Sequence, residues 1–465
     1  MSNTDQERAT DLGEILKSLG EQAIQGNRIP ASFYETYNVK RGLRNADGTG
    51  VLVSLTQIGE VHGYVIDENE KTPVDGVLRY RGYDIRSLIE GIQQEARFGF
   101  EEICYLLLFG HLPMRDELAD FTRLVDHHRE LPAGFVEDMI LKQPSKDIMN
   151  KMARSTLVSY SFDPEADDIS VENIIRQSII MIAKFPAFAA YGYQALARYH
   201  QGKSLFLHSP KQELSTAENI LRMIRPTAQY SPLEAQILDL ALILHAEHGG
   251  GNNSTFAVHV VSSTDTDTYS AIAAALGSLK GPKHGGANVK VMQMIADLKA
   301  NVPNWQDESA VSAYIEALLT REAFDRAGLV YGMGHPVYTL SDPRAVILKS
   351  WAQKLADEKG MQADYELFER IEHLTPGLLA WHRGRETPLC ANVDLYSGLV
   401  YSMLDIPQSL YTPLFAIARL PGWCAHRVEE IVSGGKIIRP ASKNVLKRRT
   451  YVPLDKRDGT LGEHE

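Results

Sequence analysis

The sequence predicts a mainly α-helical, two-domain protein with a small β-hairpin or meander near its N-terminus. Three observations predict it. Long apolar runs recur at helical spacing, some of them apolar on several faces. Only one stretch, between Gly50 and Ile85, alternates in the manner of a strand. No strand–helix–strand rhythm occurs in the 465 residues, which excludes a Rossmann or TIM-type sheet.

Taken in order, Leu12, Ile15, Leu16, Leu19 and Ala23 form a helical apolar stripe, so the chain opens with an amphipathic helix. The stretch GVLVSLTQIGEVHGYVIDENEKTPVDGVLRYRGYDI has β-branched alternation and a Pro-Val-Asp-Gly turn, hence the hairpin or meander. FEEICYLLLFGHLP reads as a buried helix stopped by Gly110 and Pro113. SIIMIAKFPAFAAYGYQALARYH and EAQILDLALILHAEH belong in a core, and YSAIAAALGSLKGP carries small residues that let helices pack closely. Glycine and proline cluster at 281–288, 332–344 and 407–422, which are expected to be functional loops and hinges. No continuous linker is visible, so a second domain is expected to be inserted into the helical body.

Composition is that of a soluble globular protein, 44% hydrophobic and 23% charged. The net charge of -11 argues against a nucleic-acid binder, and any anionic substrate must be caught by local cations against the mean field. The basic run Lys447–Arg449 reads as a solvated tail. Cys104, Cys390 and Cys424 are scattered without a CxxC, so neither a disulfide framework nor a zinc cluster is expected. Asp5, Glu7, Asp11 and Glu14 do not suit a transit peptide, and no apolar run approaches bilayer length, so a cytoplasmic protein with no membrane partner is expected.

Some apparent motifs fail on inspection. QGKSL at 201–205 has the Gly-Lys-Ser of a phosphate loop, but Ala197 stands where the first glycine is needed and the flank is helical. HAEH at 245–248 has two histidines at i, i+3, whereas a metalloprotease needs HExxH, and no metal is expected. GGGNNS at 249–254 lacks a preceding strand and the GxGxxG spacing.

Four stretches remain that are rich in groups able to do chemistry. HAEHGGGNNS carries His248 at a helix end, and GPKHGGAN carries His284 before a helix expected near Asn288. VYGMGHPVYTLSDPR carries His335 and Arg344; with two glycines and two prolines it reads as a stiff loop. NVDLYSG carries Asp394 in an apolar run, where burial raises a carboxyl pKa and makes it a better base. Three histidines each pressed against glycines exceed what satisfied core histidines would require.

The order and spacing of these stretches, with a C-terminal IIRP, resemble those of the citrate synthase family. The shared pattern is GPxHGxAN, GxGHxxY…DPR, NVDxxSG and IxRP. The resemblance implies a two-domain helical fold, with a large domain from 1–289 and 391–465 and a small domain from 290–390. It further implies a C-terminal arm reaching a partner subunit in a homodimer or dimer-based oligomer. It implies an acyltransferase that condenses acetyl-CoA with oxaloacetate and water to citrate and CoA, at entry to the tricarboxylic acid cycle. The CoA thioester is then a substrate, and no cofactor is expected. Asp394 matches the family's base, His284 its donor to the enol oxygen, and His335 the residue that polarises the ketone. His248, Arg344, Arg419 and Arg439 match oxaloacetate contacts, Arg439 from the neighbouring subunit. Ser254 falls where a water is ordered near the thioester, and Leu329, Val330, Gly332 and Gly334 where main chain lines CoA.

The chain departs from many bacterial members at Pro336 and Thr339, where they carry basic residues; Lys283 and Lys290 are nearby candidates for the CoA phosphates. A 2-methylcitrate synthase using propionyl-CoA shares every motif, because one methylene is worth only about 1–3 kcal/mol. A non-catalytic structural relative would not need this set of buried polar groups, and a zinc hydrolase is a more distant reading.

Overall fold

A computed structural model describes residues 3–67, 70–385 and 388–457. The chain divides into two compact units, Met1–Leu55 and Thr56–Glu465. In the first, the expected amphipathic helix runs as α1 (Asn3–Gly26) and is followed by the short α2 (Ala31–Thr36).

The second unit begins with an antiparallel meander of β1 (Gly59–Asp67), β2 (Glu70–Tyr80) and β3 (Tyr83–Asp84). The Pro-Val-Asp-Gly segment is not the turn. It lies inside β2, where the register slips between His62 and Tyr64, whose partners are Val77 and Pro73. The β1–β2 connection falls at residues 68 and 69, outside the described residues. At the slip in β2, Pro73 removes a ladder donor and the extra residues make a bulge.

Beyond Asp84 the described chain is helical. First come α3 (Ile85–Gln94), α4 (Phe100–Phe109), α5 (Arg115–His127), α6 (Ile148–Tyr160) and α7 (Val171–Gln201). Next are α8 (Thr216–Ile224), α9 (Pro232–His245), α10 (Asn253–Ser262), α11 (Thr268–Lys280), α12 (Ala287–Asn301) and α13 (Glu308–Leu319). Last come α14 (Pro343–Lys359), α15 (Gln362–Arg383), α16 (Val393–Met403) and α17 (Tyr411–Val432). Local chemistry sets many ends. Ser215 and Ser231 form capping boxes with Glu218 and Glu234, and Gly110 closes α4 at a φ of +86°.

Two expectations need correction. The 407–422 cluster is not a hinge loop: α17 runs straight through Pro421 and Gly422, because it is the buried helix against which α4, α7, α9, α10 and α11 pack. Tertiary burial there overrides local propensity. Likewise α7 is long and apolar enough to cross a bilayer by length and composition, but 89% of its most apolar window is buried inside the protein.

Gly422 lets α17 approach the end of α9. A Cβ there would lie 2.5 Å from the Ala246 carbonyl and 2.5 Å from Glu247 Oε2. Gly422→Ala is therefore expected to cost about 1–3 kcal/mol, read as a lower urea midpoint at an unchanged denaturant slope. An unchanged midpoint would show that α17 can retreat without loss.

Candidate active site

The loop carrying His335 is held from two sides. Gly332 and Gly334 adopt φ of +87° and +89°, and a Cβ on Gly332 would fall 2.9 Å from Leu395. The Gly334 N–H donates to the Cys390 carbonyl (2.8 Å), and the Asn392 amide donates to the Gly334 carbonyl (2.7 Å). From the other side the meander docks through its glycines. A Cβ on Gly63 would lie 2.8 Å from the Val337 carbonyl, and one on Gly76 would lie 2.1 Å from the Ser341 carbonyl. The Gly76 N–H donates to Ser341 Oγ, which donates to Asp75.

Within this frame the His335 Nδ1 accepts the backbone N–H groups of Val337 and Tyr338, both at 3.1 Å. A backbone N–H can only donate, so the neutral ring carries its proton on Nε2. Burial, followed by the Arg344 charge, lowers the ring to about 4. His335 is thus a neutral Nε2–H donor at ordinary pH.

His248 lies three residues past the end of α9 rather than at its last residue. Its ring is 5.1 Å from that of His335, its Nε2 is buried without a partner, and burial and the Arg344 charge hold it well below the usual histidine range. His284 sits in the turn before α12. Its Nε2 accepts the Ser254 N–H (3.3 Å) and lies 3.1 Å from Ser254 Oγ. Ser254 is itself fixed: Trp423 Nε1–H donates to its Oγ (3.2 Å), which donates to Asn252 Oδ1 (2.9 Å). With Nε2 accepting, the neutral His284 ring offers Nδ1–H, and burial followed by Arg419 lowers it to about 4.

The two arginines differ. Arg344, in the first turn of α14, is 3% exposed and donates through Nε (3.0 Å) and Nη2 (2.7 Å) to Asp342. Burial works against its charge, but Asp342 keeps it above the ordinary arginine value. Arg419, in the middle of α17, is fully buried and donates only through Nε, to the His245 carbonyl (2.6 Å). Its Nη1 and Nη2 have no partner, and burial lowers it to about 10. Asp394, in the first turn of α16, has its N–H capped by Asn392 Oδ1 (2.9 Å). Burial raises its carboxyl to about 6, Arg344 pulling it down and Asp342 pushing it up.

The chain therefore brings together His248, His335, Arg344 and Asp394, linked by ring contact and charge, and His284 with Ser254 and Arg419. Val330 is buried and Leu329 exposed. Arg439 is not in this cluster: it is exposed on the irregular segment after α17. Sequence reasoning missed Asp342, although an aspartate before Pro-Arg is a helix N-cap signature. It also missed His245, buried with both ring nitrogens unpartnered, and Glu247 beside it. Among the described residues no group of three or more His, Cys, Asp or Glu side chains is placed to hold a metal.

Comparison with known proteins points to one family. The family profile described as "Citrate synthase, C-terminal domain" matches residues 48–441. A citrate synthase of Haloferax volcanii is 34% identical over 90% of this chain and 99% of its own length. A protein named 2-methylcitrate synthase 2, from Corynebacterium glutamicum, is 31% identical over 91% of this chain and 99% of its own. Among solved structures, citrate synthase of Thermoplasma acidophilum, described as a ternary complex with carboxymethyl coenzyme A and oxaloacetate, superposes with a TM-score of 0.72. It is 27% identical, covering 90% of this chain and 99% of that one.

The carboxyl of Asp394 titrates near 6 in the folded chain against an ordinary 3.8. Below 3.8 it is neutral in both folded and unfolded states; above 6 it is ionised in both, and burial then penalises the folded state. Asp394→Asn should therefore melt at a higher temperature than the wild type at pH above about 6, with the gap closing as pH falls. A gap that does not change with pH would show that Asp394 is not desolvated.

Proposed function

The chain belongs to the citrate synthase family, and on that premise we propose how its residues carry out the reaction. It is an acyltransferase that condenses acetyl-CoA with oxaloacetate and water to give citrate and CoA. The observation that carries the residue assignment is Arg419, a fully buried guanidinium with two unpartnered nitrogens, in one site with Arg344. Leaving such donors unmet costs free energy, and a dicarboxylate meets them. His248, with its buried and unpartnered Nε2, adds a further contact to oxaloacetate.

Asp394 takes a proton from the acetyl methyl group. The resulting charge moves to the thioester oxygen, where the Nδ1–H of His284 stabilises it as an enol or enolate. The enol carbon attacks the ketone carbon of oxaloacetate. The Nε2–H of His335 donates to the ketone oxygen as it gains charge and passes its proton to the new alkoxide. Both histidines act as neutral donors, a state favoured first by burial and then by the neighbouring arginines. Ser254, fixed by Trp423 and Asn252, orders the water that hydrolyses the citryl thioester. The backbone of Leu329, Val330, Gly332 and Gly334 lines CoA. Residues 290–390, which include the His335 loop and Arg344, act as the smaller domain that closes over oxaloacetate and excludes water.

A second reading is favoured by relatives named 2-methylcitrate synthase, at 31% and 32% identity. Thiol release measured with acetyl-CoA and propionyl-CoA decides between them; a higher kcat/KM for propionyl-CoA would establish the second. Asp394→Asn is expected to lose at least about 100-fold in turnover while still binding oxaloacetate. Wild-type kcat is expected to fall as pH drops through about 6, where the base gains a proton. Retention of more than about a tenth of turnover would contradict the assignment.

Arg439 acts on the substrate held by the partner subunit, a role that suits its exposed place beyond α17. Asp394→Asn and Arg439→Ala are each expected to be inactive alone. Refolded together at equal amounts they should recover about a quarter of wild-type activity, since half the dimers are mixed and each has one intact site. No recovery from a mixture proved to contain heterodimers would show that Arg439 does not act across the interface.

A further inference from the structure

Helix α17 carries a stripe at helical spacing: Arg419, Gly422, Trp423, His426 and Glu430. Arg419 and Trp423 belong to the site described above, but His426 and Glu430 are not used by the reaction. They form a buried hydrogen-bonded chain with two residues from other elements. His426 Nε2 lies 3.1 Å from Glu247 Oε1, His426 Nδ1 lies 3.2 Å from His259 Nε2, and His259 Nδ1 lies 2.8 Å from Glu430 Oε2. His426 and Glu247 are fully buried and His259 is 2% exposed. Gly250 packs over the contact between the rings, where a Cβ would stand 3.4 Å from His426 Cε1 and 3.6 Å from His259 Nε2.

The inner end of this chain adjoins the candidate site. Glu247 Oε1 also accepts the Gly249 N–H, closing the turn that presents His248; Gly249 sits at a φ of +81°. Glu247 Oε2 is buried with no partner, and so are Nη1 and Nη2 of Arg419. The free oxygen lies against Gly422, one helical turn from Arg419. A carboxylate and a guanidinium in one buried site, both unmet, attract strongly. Released from His426, Glu247 would turn onto Arg419 and occupy the nitrogens that oxaloacetate needs.

The chain also has a proton count. Three hydrogen bonds need three protons. Ionised Glu247 and Glu430 supply none, and two neutral imidazoles supply two. One bond is therefore missing until the chain binds one further proton.

We propose that His426, His259 and Glu430 are positioning residues that hold Glu247 over the His248 turn and away from Arg419, and that they do so fully only when the chain carries this additional proton. The inference rests on the oxaloacetate reading of the site. The charged and titratable groups facing the ring pair are Glu247 from the turn after α9, Glu429 and Glu430 from α17, and Arg419 and Arg81 at longer range. Among them Glu429 accepts the Gln57 N–H through Oε1 at 2.7 Å, while its Oε2, buried and unpartnered, lies 3.8 Å from His426 Nδ1, beyond hydrogen-bond reach, and favours the additional proton on the rings. As pH rises the additional proton is lost; the two that remain stay in the stronger bonds to the carboxylates, so the bond between the rings lapses, His426 loses its brace on His259, its hold on Glu247 loosens, and oxaloacetate binding weakens.

Glu430→Gln tests this directly. Its amide can donate to His259 Nδ1, so neutral rings then complete all three bonds. The measurement is the oxaloacetate Kd by calorimetry from about pH 5 to about pH 8, the range over which histidines titrate. It does not depend on turnover, so failure of acyl transfer and failure of the chain are told apart. Wild type is expected to weaken about tenfold as pH rises. Glu430→Gln should stay flat at the low-pH wild-type value, and His259→Phe should be flat and weak. Should His259→Phe fail to fold, Glu430→Gln decides alone. A Glu430→Gln profile that follows the wild type, or a wild-type Kd that does not change with pH, would overturn the proposal.

Discussion

Four donors converge on one buried carboxylate, and the rest of the site hangs from it. Asp342 accepts the backbone N–H of Arg344 (3.0 Å), its Nε (3.0 Å) and its Nη2 (2.7 Å), and the backbone N–H of Val393 (3.2 Å). The first of these caps α14, the next two fix the guanidinium, and the last ties down the start of α16, one residue before Asp394. A single 1% exposed side chain thus sets the distance between Arg344 and Asp394, the proposed base. Removing it would leave Arg344 buried without its counter-ion, the costly half of a broken ion pair.

Around that anchor the charge logic is consistent. Burial and two arginines keep His248, His284 and His335 unprotonated, so each is a donor of known tautomer or an open contact rather than a competing cation. The same burial raises Asp394 toward the range in which a base works near neutrality. Arg419 keeps both Nη groups unpartnered, with the unmet Glu247 Oε2 about one helical turn away. The meander contributes by shape: glycines at 63 and 76 let two strands lie against the His335 loop, so the ring is oriented before any ligand arrives.

Much of this was legible in the chain. The glycine–proline density of 332–344 marked a stiff loop, and the apolar run around Asp394 marked a desolvated carboxylate. What supports those residues was hidden by sequence distance. The strands that clamp the loop lie 265 to 276 positions upstream, and Gly63 and Gly76 read as ordinary turn or strand glycines. Glu247 and His245 were weighed only as neighbours in a metal-like pair, since a buried carboxylate shows its purpose only beside His426 and Arg419. The 407–422 segment was misread because proline and glycine punctuate exposed chain, whereas α17 is held by packing on several sides. Arg439 lies exposed beyond α17, away from the cluster of its own chain.

On the proposed reading, Arg344 and Arg419 take the two carboxylates of oxaloacetate together. The most direct measurement is the thermal shift of the protein with oxaloacetate and with pyruvate, which keeps the 2-oxo acid but lacks the second carboxylate. Ligand that binds only the folded state raises the melting temperature by mass action. The account predicts a clear rise with millimolar oxaloacetate and little or none with pyruvate at the same concentration. Equal shifts with the two acids would contradict it.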